Sequence, residues 1–219
     1  KVKADSEDVW RKTDPRRLSM LLNLAINYRE AKRYDSAIRV LEEMLALELK
    51  GQMAIDCREE WLEDLVLGYK TEPFEAWATA EIQRHRDSAA EPVVLAGQLA
   101  RFGMFYVRMQ EWARAEPLLS ECVGLRRANL PGAWNTFYAI SALGEVKFRQ
   151  GFPDEAETLL LEGGQGIELA PFPESMVSSG EAKRRIIETF QRLIEFYESS
   201  QNRNDAREWR ERVEQVNLD

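Results

Sequence analysis

The 219 residues hold 30 Lys and Arg against 38 Asp and Glu, a formal net charge of −8, which argues against free nucleic acid or an anionic membrane as partner unless one face is locally basic. The longest charge-free stretch, 128–144, is broken by Pro131-Gly132 and dotted with Asn129, Asn135, Thr136 and Ser141, so it is not the ~20-residue apolar run of a membrane helix. Cys57 and Cys122 are too few for a disulfide framework or a four-ligand zinc site and fit a reducing, cytoplasmic setting. With no initiator Met and no apolar leader, the sequence reads as a piece of something longer.

After a lead-in over residues 1–17, apolar residues recur at three- and four-residue spacing, as in Leu21, Leu24, Tyr28 and again in Ala37, Leu41, Met44. No run alternates β-branched with polar residues. Punctuation at Ala31-Lys32-Arg33, Lys50-Gly51, Thr71-Glu72-Pro73, Pro131-Gly132, Gly151-Phe152-Pro153 and 202–204 cuts the chain into roughly ten helices. The expected pairs are 18–30 with 34–49, 58–70 with 74–87, 96–109 with 112–127, 135–150 with 154–162, and 185–199 with 203–216. Gly163-Gly164, Gly166, Pro171 and Pro173 predict a broken helix and then a loop over 163–180. The fold class expected is all-α, about five helical hairpins stacked into one superhelical domain over 18–219, with units near 18–50, 51–88, 89–127, 131–170 and 181–216.

An internal repeat supports this reading. Align five units on the anchors Ala25, Val66, Gly103, Gly144 and Ile194, and the residue twelve further on is Ala each time: Ala37, Ala78, Ala115, Ala156, Ala206. Just before each anchor stands Leu24, Leu65, Phe102, Leu143 or Leu193, and three after it Tyr28, Tyr69, Tyr106, Lys147 or Tyr197. Sixteen after it come Leu41, Ile82, Leu119, Leu160 and the polar Arg210 of the last unit. A small residue where two helices cross lets their backbones approach, and the large residue one turn on fills the gap to the next hairpin.

The pattern Leu21-x-x-Leu24-Ala25-x-x-Tyr28 with Ala37 and Leu41, matched by Leu99-x-x-Phe102-Gly103-x-x-Tyr106 with Ala115 and Leu119, resembles the tetratricopeptide repeat (TPR) over about residues 18–216. Anchors lie 41, 37, 41 and 50 residues apart, longer than the standard repeat of ~34. In this the chain is similar to the extended repeats of kinesin light chains and of arrays attached to bacterial serine/threonine kinases. The segments Trp112-Ala-Arg-Ala-Glu-Pro-Leu-Leu and Asp154-Glu-Ala-Glu-Thr-Leu-Leu-Leu-Glu-Gly look most like the latter. The resemblance implies a non-catalytic scaffold that takes a protein or peptide in a groove lined by the first helices. The alternative is a regulatory or self-association segment of a larger bacterial signalling protein such as a kinase.

Chemistry finds little support. His85-Arg86-Asp87 carries the letters of a kinase catalytic loop, but Pro92 stands where Asn is needed, and Arg101 of Arg101-Phe102-Gly103 replaces the metal-binding Asp. One histidine has no partner motif for acid–base work, and the neighbouring pairs Glu42-Glu43, Glu59-Glu60 and Asp154-Glu155 diverge on a helix, so no catalytic, metal or cofactor residue is expected. Cys122 reads as a buried thiol. Most tryptophans read as core, with Trp10 either a partner contact or packed on a neighbour.

Groove residues follow from the register, at positions two before, one after and five after each anchor. They are Asn23, Ile26 and Glu30; Asp64, Leu67 and Thr71; Arg101, Met104 and Arg108; Ala142, Glu145 and Arg149; and Arg192, Glu195 and Ser199. Two readings of the arginines stand. Arg101, Arg108, Arg149 and Arg192 bind an acidic peptide or a terminal carboxylate, while Asn23 and Asn27 hold peptide backbone as the family's asparagines do; or Glu145 and Glu195 simply neutralise them across neighbouring helices.

Overall fold

The computed structural model describes residues 12–47, 49–88 and 91–218. Trp10 and most of the lead-in lie outside them. Among the described residues there are eleven α-helices and no strand: α1 (Pro15–Glu30), α2 (Tyr34–Leu45), α3 (Gln52–Leu67), α4 (Thr71–Asp87), α5 (Pro92–Arg108), α6 (Trp112–Asn129), α7 (Trp134–Arg149), α8 (Pro153–Leu169), α9 (Glu174–Ser178), α10 (Glu181–Ser199) and α11 (Arg203–Leu218). The fold is all-α, as expected, and its helices run in hairpins. The chain divides into two compact units between Thr79 and Ala80, inside α4. Within the first, α1 packs on α2 and α2 on α3; within the second, α5, α6, α7, α8, α10 and α11 pack in succession, with α7 also against α10.

Local rules start and stop these helices. Asp14 caps α1 by accepting from the Arg16 amide at 2.8 Å, and Pro15, Pro92 and Pro153 open α1, α5 and α8, where a missing N–H costs nothing. Every first helix of a hairpin ends in the same two-bond turn. In the third hairpin the Gln110 amide donates to the Val107 carbonyl and the Glu111 amide to that of Tyr106, and the left-handed residue between helices is Gln110 at φ 59°. Lys32, Tyr69, Gly151 and Gln201 hold the equivalent place.

That turn corrects the register of the second hairpin. The left-handed residue lies seven beyond Ala25, Gly103, Gly144 and Ile194, and only three beyond Val66. The structural anchor of the second hairpin is therefore Leu62. The error was one helical turn, which leaves the same face inward, so Leu62, Val66 and Ala78 are all buried and the apolar pattern alone could not expose the slip. Tyr69, expected to pack against a neighbour, sits in the turn and is 65 % exposed.

With the register set, the packing rule sharpens. A Cβ on Gly103 would stand 2.7 Å from Leu119, and one on Gly144 would stand 2.9 Å from Leu160, so the anchor presses on the residue sixteen later. Ala25 and Leu41 form the same small–large pair in the first hairpin, both buried. The second hairpin inverts it, with Leu62 large and Ala78 small. Position twelve is Ala37, Phe74, Ala115, Ala156 and Ala206, each no more than 1 % exposed.

Joints between hairpins repeat as well. The residue three after an anchor reaches the one thirteen after the preceding anchor: Tyr197 donates to Glu157 at 3.0 Å, and Lys147 donates to Glu116 at 2.7 Å. Lys147 thus replaces an aromatic by keeping the donor. Where the partner position is the buried Ile38, the reaching residue is the buried Leu65. Farther along the second helices, Arg86 pairs with Glu121 at 2.6 Å, Arg127 with Glu162 at 2.5 Å, and, with the signs exchanged, Glu168 with Arg212 at 2.9 Å.

The segment expected to break the helix does not. α8 continues through Gly163-Gly164-Gln165-Gly166 to Leu169, and only then do Pro171 and Pro173 separate it from the short α9. These glycines serve close approach. A Cβ on Gly163 would meet the Ser141 Cβ at 2.7 Å, its amide nitrogen at 2.8 Å and the Phe137 carbonyl at 2.9 Å, while one on Gly164 would meet Leu193 at 2.5 Å.

Two outcomes test this account. Helix propensity alone would have Gly163→Ala stabilise by ~1 kcal/mol; because the clash is with backbone, urea denaturation should instead show a loss of ~2 kcal/mol or more. Gln110→Gly relieves the left-handed turn and should raise stability by about 0.5–1 kcal/mol. An unchanged or lowered midpoint would reject the assignment of that turn.

Candidate functional site

The inner stripe of the first helices is where sequence reasoning placed a ligand. On α1, Asn23 and Asn27 are exposed, as is Glu30. On α3 the corrected register puts Glu60, Glu63 and Leu67 on the stripe in place of Asp64, Leu67 and Thr71. Asp64 does not line an open surface, being only 1 % exposed. It faces α1, where Arg29 lies with its Nε 3.8 Å from Asp64 Oδ1 while the same guanidinium grips Glu60. Neither oxygen of Asp64 has a hydrogen-bond donor among the described residues. Burial pushes its pKa up to about 6; Arg29 opposes the rise, and Glu60 and Glu63 add to it.

In the second compact unit α5, α7 and α10 lie side by side. Arg101 and Met104 are half-buried on α5, and Arg108 is exposed with its guanidinium 5.7 Å from the Phe105 ring. Across the joint of α7 with α10, Arg192 donates through Nε to Glu145 at 2.8 Å and Arg149 donates to Glu195 at 2.6 Å. Both glutamates therefore do what the neutralising reading required. The two pairs differ in access. The Arg192 side chain is 10 % exposed and that of Arg149 is 32 %.

Arg192 belongs to a network that the sequence did not reveal. The Tyr138 hydroxyl donates to Glu188 at 2.7 Å and accepts from Arg185 at 3.1 Å and Arg192 at 3.4 Å, while both guanidiniums lie within 5.0 Å of the Tyr138 ring centre. Burial works against the charge on Arg192, but Tyr138 and Glu145 outweigh it and raise its pKa. Tyr138 and Glu188 each stand six before their anchors, Gly144 and Ile194, so they extend the same inner stripe by one turn. Extending the periodic count by that turn was the available signal.

Other candidates recede. His85 is half-buried with Nδ1 2.8 Å from the Glu81 carbonyl oxygen of its own helix. Cys57 and Cys122 are buried; desolvation pushes the Cys57 thiol up to about 11 and raises Cys122. Among the described residues no three His, Cys, Asp or Glu side chains are placed to hold a metal ion, and no helix is long and apolar enough to cross a membrane.

Residues 17–47 match the tetratricopeptide repeat family model. The fold is similar to that of BtubC (BKLC) from P. vanneervenii, at TM-score 0.62 and 14 % identity, over 99 % of this chain and 89 % of that one. It is also similar to the nearly identical TPR-like repeats of a Podosopora anserina protein classed as a kinesin light chain, at TM-score 0.58 and 16 % identity, over 94 % and 97 % of the two chains. No curated protein matches the chain. The first hairpin thus matches the tetratricopeptide repeat, and the fold is like that of kinesin light chain repeat proteins.

The buried Asp64 generates a pH prediction. A carboxyl with a folded pKa near 6, against an ordinary 3.8, favours the folded state fully below about pH 4, and that advantage is lost as pH rises through 6. By linkage the span is roughly 3 kcal/mol. Asp64→Asn removes this dependence, so urea denaturation should show the variant gaining on the parent protein between pH 4.5 and pH 7.5. A difference identical at both pH values would show that Asp64 ionises as if exposed.

Proposed function

We propose that this chain is a non-catalytic protein-binding scaffold, and that it takes an extended peptide across the inner faces of α5, α7 and α10. The tetratricopeptide fold suggests a protein-interaction scaffold. The observation that favours this surface is its chemistry: Arg101, Met104, Arg108, Arg149 and Glu195 remain at least partly accessible on helices whose other faces are filled with apolar side chains. Such a mixed strip offers hydrogen bonds and charge to an extended chain without a deep cavity.

Within the strip the arginines divide by role. Arg192, sandwiched on Tyr138 and paired with Glu145, holds α10 to α7. Arg149 pairs with a Glu195 that is itself about half exposed, so a peptide carboxylate can exchange with Glu195 at little cost. An acidic peptide or a chain-terminal carboxylate is the ligand that this exchange fits. A displayed random peptide library should enrich acidic sequences on the parent protein, and Arg101→Ala/Arg149→Ala should weaken them about tenfold. Equal binding by both proteins retires the acidic ligand, and no enrichment above a blank surface removes this face as the binding site.

A further inference from the structure

The first compact unit carries a second surface whose charge opposes that of the whole protein. Where the turns of the first two hairpins meet, Lys32, Arg33, Tyr34, Asp35, Ser36, Arg39, Gly68 and Lys70 line an open cavity of about 390 Å³. Four cations face one carboxylate there, in a chain of net charge −8. We propose that this edge docks the phosphoryl group of a phosphorylated peptide.

One feature here is costly for folding alone, and two more shape the edge for recognition. Tyr69, between Gly68 and Lys70, is both exposed and left-handed at φ 52°, a place where a glycine would relieve the backbone and a polar residue would suit the solvent. Exposed tyrosine is enriched in binding hot spots. Gly68 permits the close approach of the two turns, since a Cβ there would lie 3.1 Å from Tyr34 Cβ and 3.1 Å from the Asp64 carbonyl. The cations are also held in place. Arg33 stacks 4.7 Å from the Tyr28 ring centre with Nη2 3.4 Å from Ser36 Oγ, and Arg39 donates through Nε to the Asp35 carbonyl at 3.2 Å.

The count of charges selects the ligand. A single carboxylate is satisfied by one guanidinium fork, whereas a phosphoryl dianion offers three acceptor oxygens and rewards several cations at once. Asp35 already shows how an anion sits there. Its carboxylate takes Lys70 at 2.8 Å, and that hydrogen bond is the chief cause of its lowered pKa. A phosphoryl group would compete with Asp35 for Lys70. This surface is separate from the inner stripe of the second unit, so either assignment can fail alone.

The test is an NMR-monitored titration with three probes: sodium phosphate, a glycine/serine peptide carrying one phosphoserine, and the same peptide unphosphorylated. The phosphopeptide should shift the amides of 32–36 and 68–70 saturably, and its unphosphorylated twin should not. Lys32→Gly/Arg39→Ala should weaken binding about tenfold or more without lowering thermal stability, since glycine suits the left-handed turn. Asp35→Asn should tighten it roughly threefold by freeing Lys70. No saturable shift in the parent protein, or equal affinity in these variants, overturns the proposal. Binding of free phosphate without the phosphopeptide, or of anionic vesicles in its place, overturns it as well.

Discussion

The first four hairpins are built on one close crossing, that of the anchor residue with the side chain sixteen positions later. With 2.7 Å between the Cβ that Gly103 lacks and the Leu119 side chain, the two helices approach as far as atoms permit, and the distance is fixed by the smaller partner. At that crossing the first four hairpins place one small and one large residue, and the last has Ile194 and Arg210. Which helix supplies the small one is free, and the second hairpin uses that freedom with Leu62 opposite Ala78. The shared turn, with its left-handed residue seven beyond the anchor, holds the two helices in the offset that makes this contact possible.

Most of the architecture was legible because the repeat is written in residue size. The inward alanines and the large residues beside them announce five hairpins before any coordinate is known. What stayed hidden has a physical reason in each case. The second register slipped by four because four residues return to the same helix face, and the exchange of large and small at Leu62 and Ala78 supplied a false match. The glycines of α8 carry the composition of a loop, yet they mark the places where Ser141, Leu193 and Phe137 come closest. Leu24 fits the repeat and is nonetheless exposed. For the candidate stripe, only neighbours sort the members: Arg192 is paired with Glu145 and 10 % exposed, Asp64 is buried, and Arg149 is 32 % exposed.

The joints between hairpins show how one geometry accepts different chemistry. The residue four after one anchor meets the residue two after the next. That joint is the edge-to-face pair Phe148 and Phe196 between the fourth and fifth hairpins, with ring centres 5.4 Å apart. Between the first and second it is Arg29 and Asp64, a cation and a buried carboxylate at 3.8 Å. The apolar joint gains from burial throughout, whereas the ionic joint must first desolvate its carboxylate. The two ends of the chain therefore differ in what loosens them: ionisation of Asp64 as pH rises touches the first joint, and loss of aromatic packing the last.

The signs along the ion pairs between second helices constrain which hairpin can follow the third and which can precede the fifth. Arg86 and Arg127 each look ahead to a glutamate, and then Glu168 looks ahead to Arg212. Were the fourth hairpin skipped during folding, Arg127 would confront Arg212, cation against cation; were the third skipped, Arg86 would still find Glu162. Each such contact is worth only about 0–1 kcal/mol at the surface, but a preference of that size, applied at the moment two hairpins choose a neighbour, is enough to bias assembly. The fourth hairpin is by this measure an adaptor between opposite polarities, a part that can be neither omitted nor duplicated without bringing like charges together.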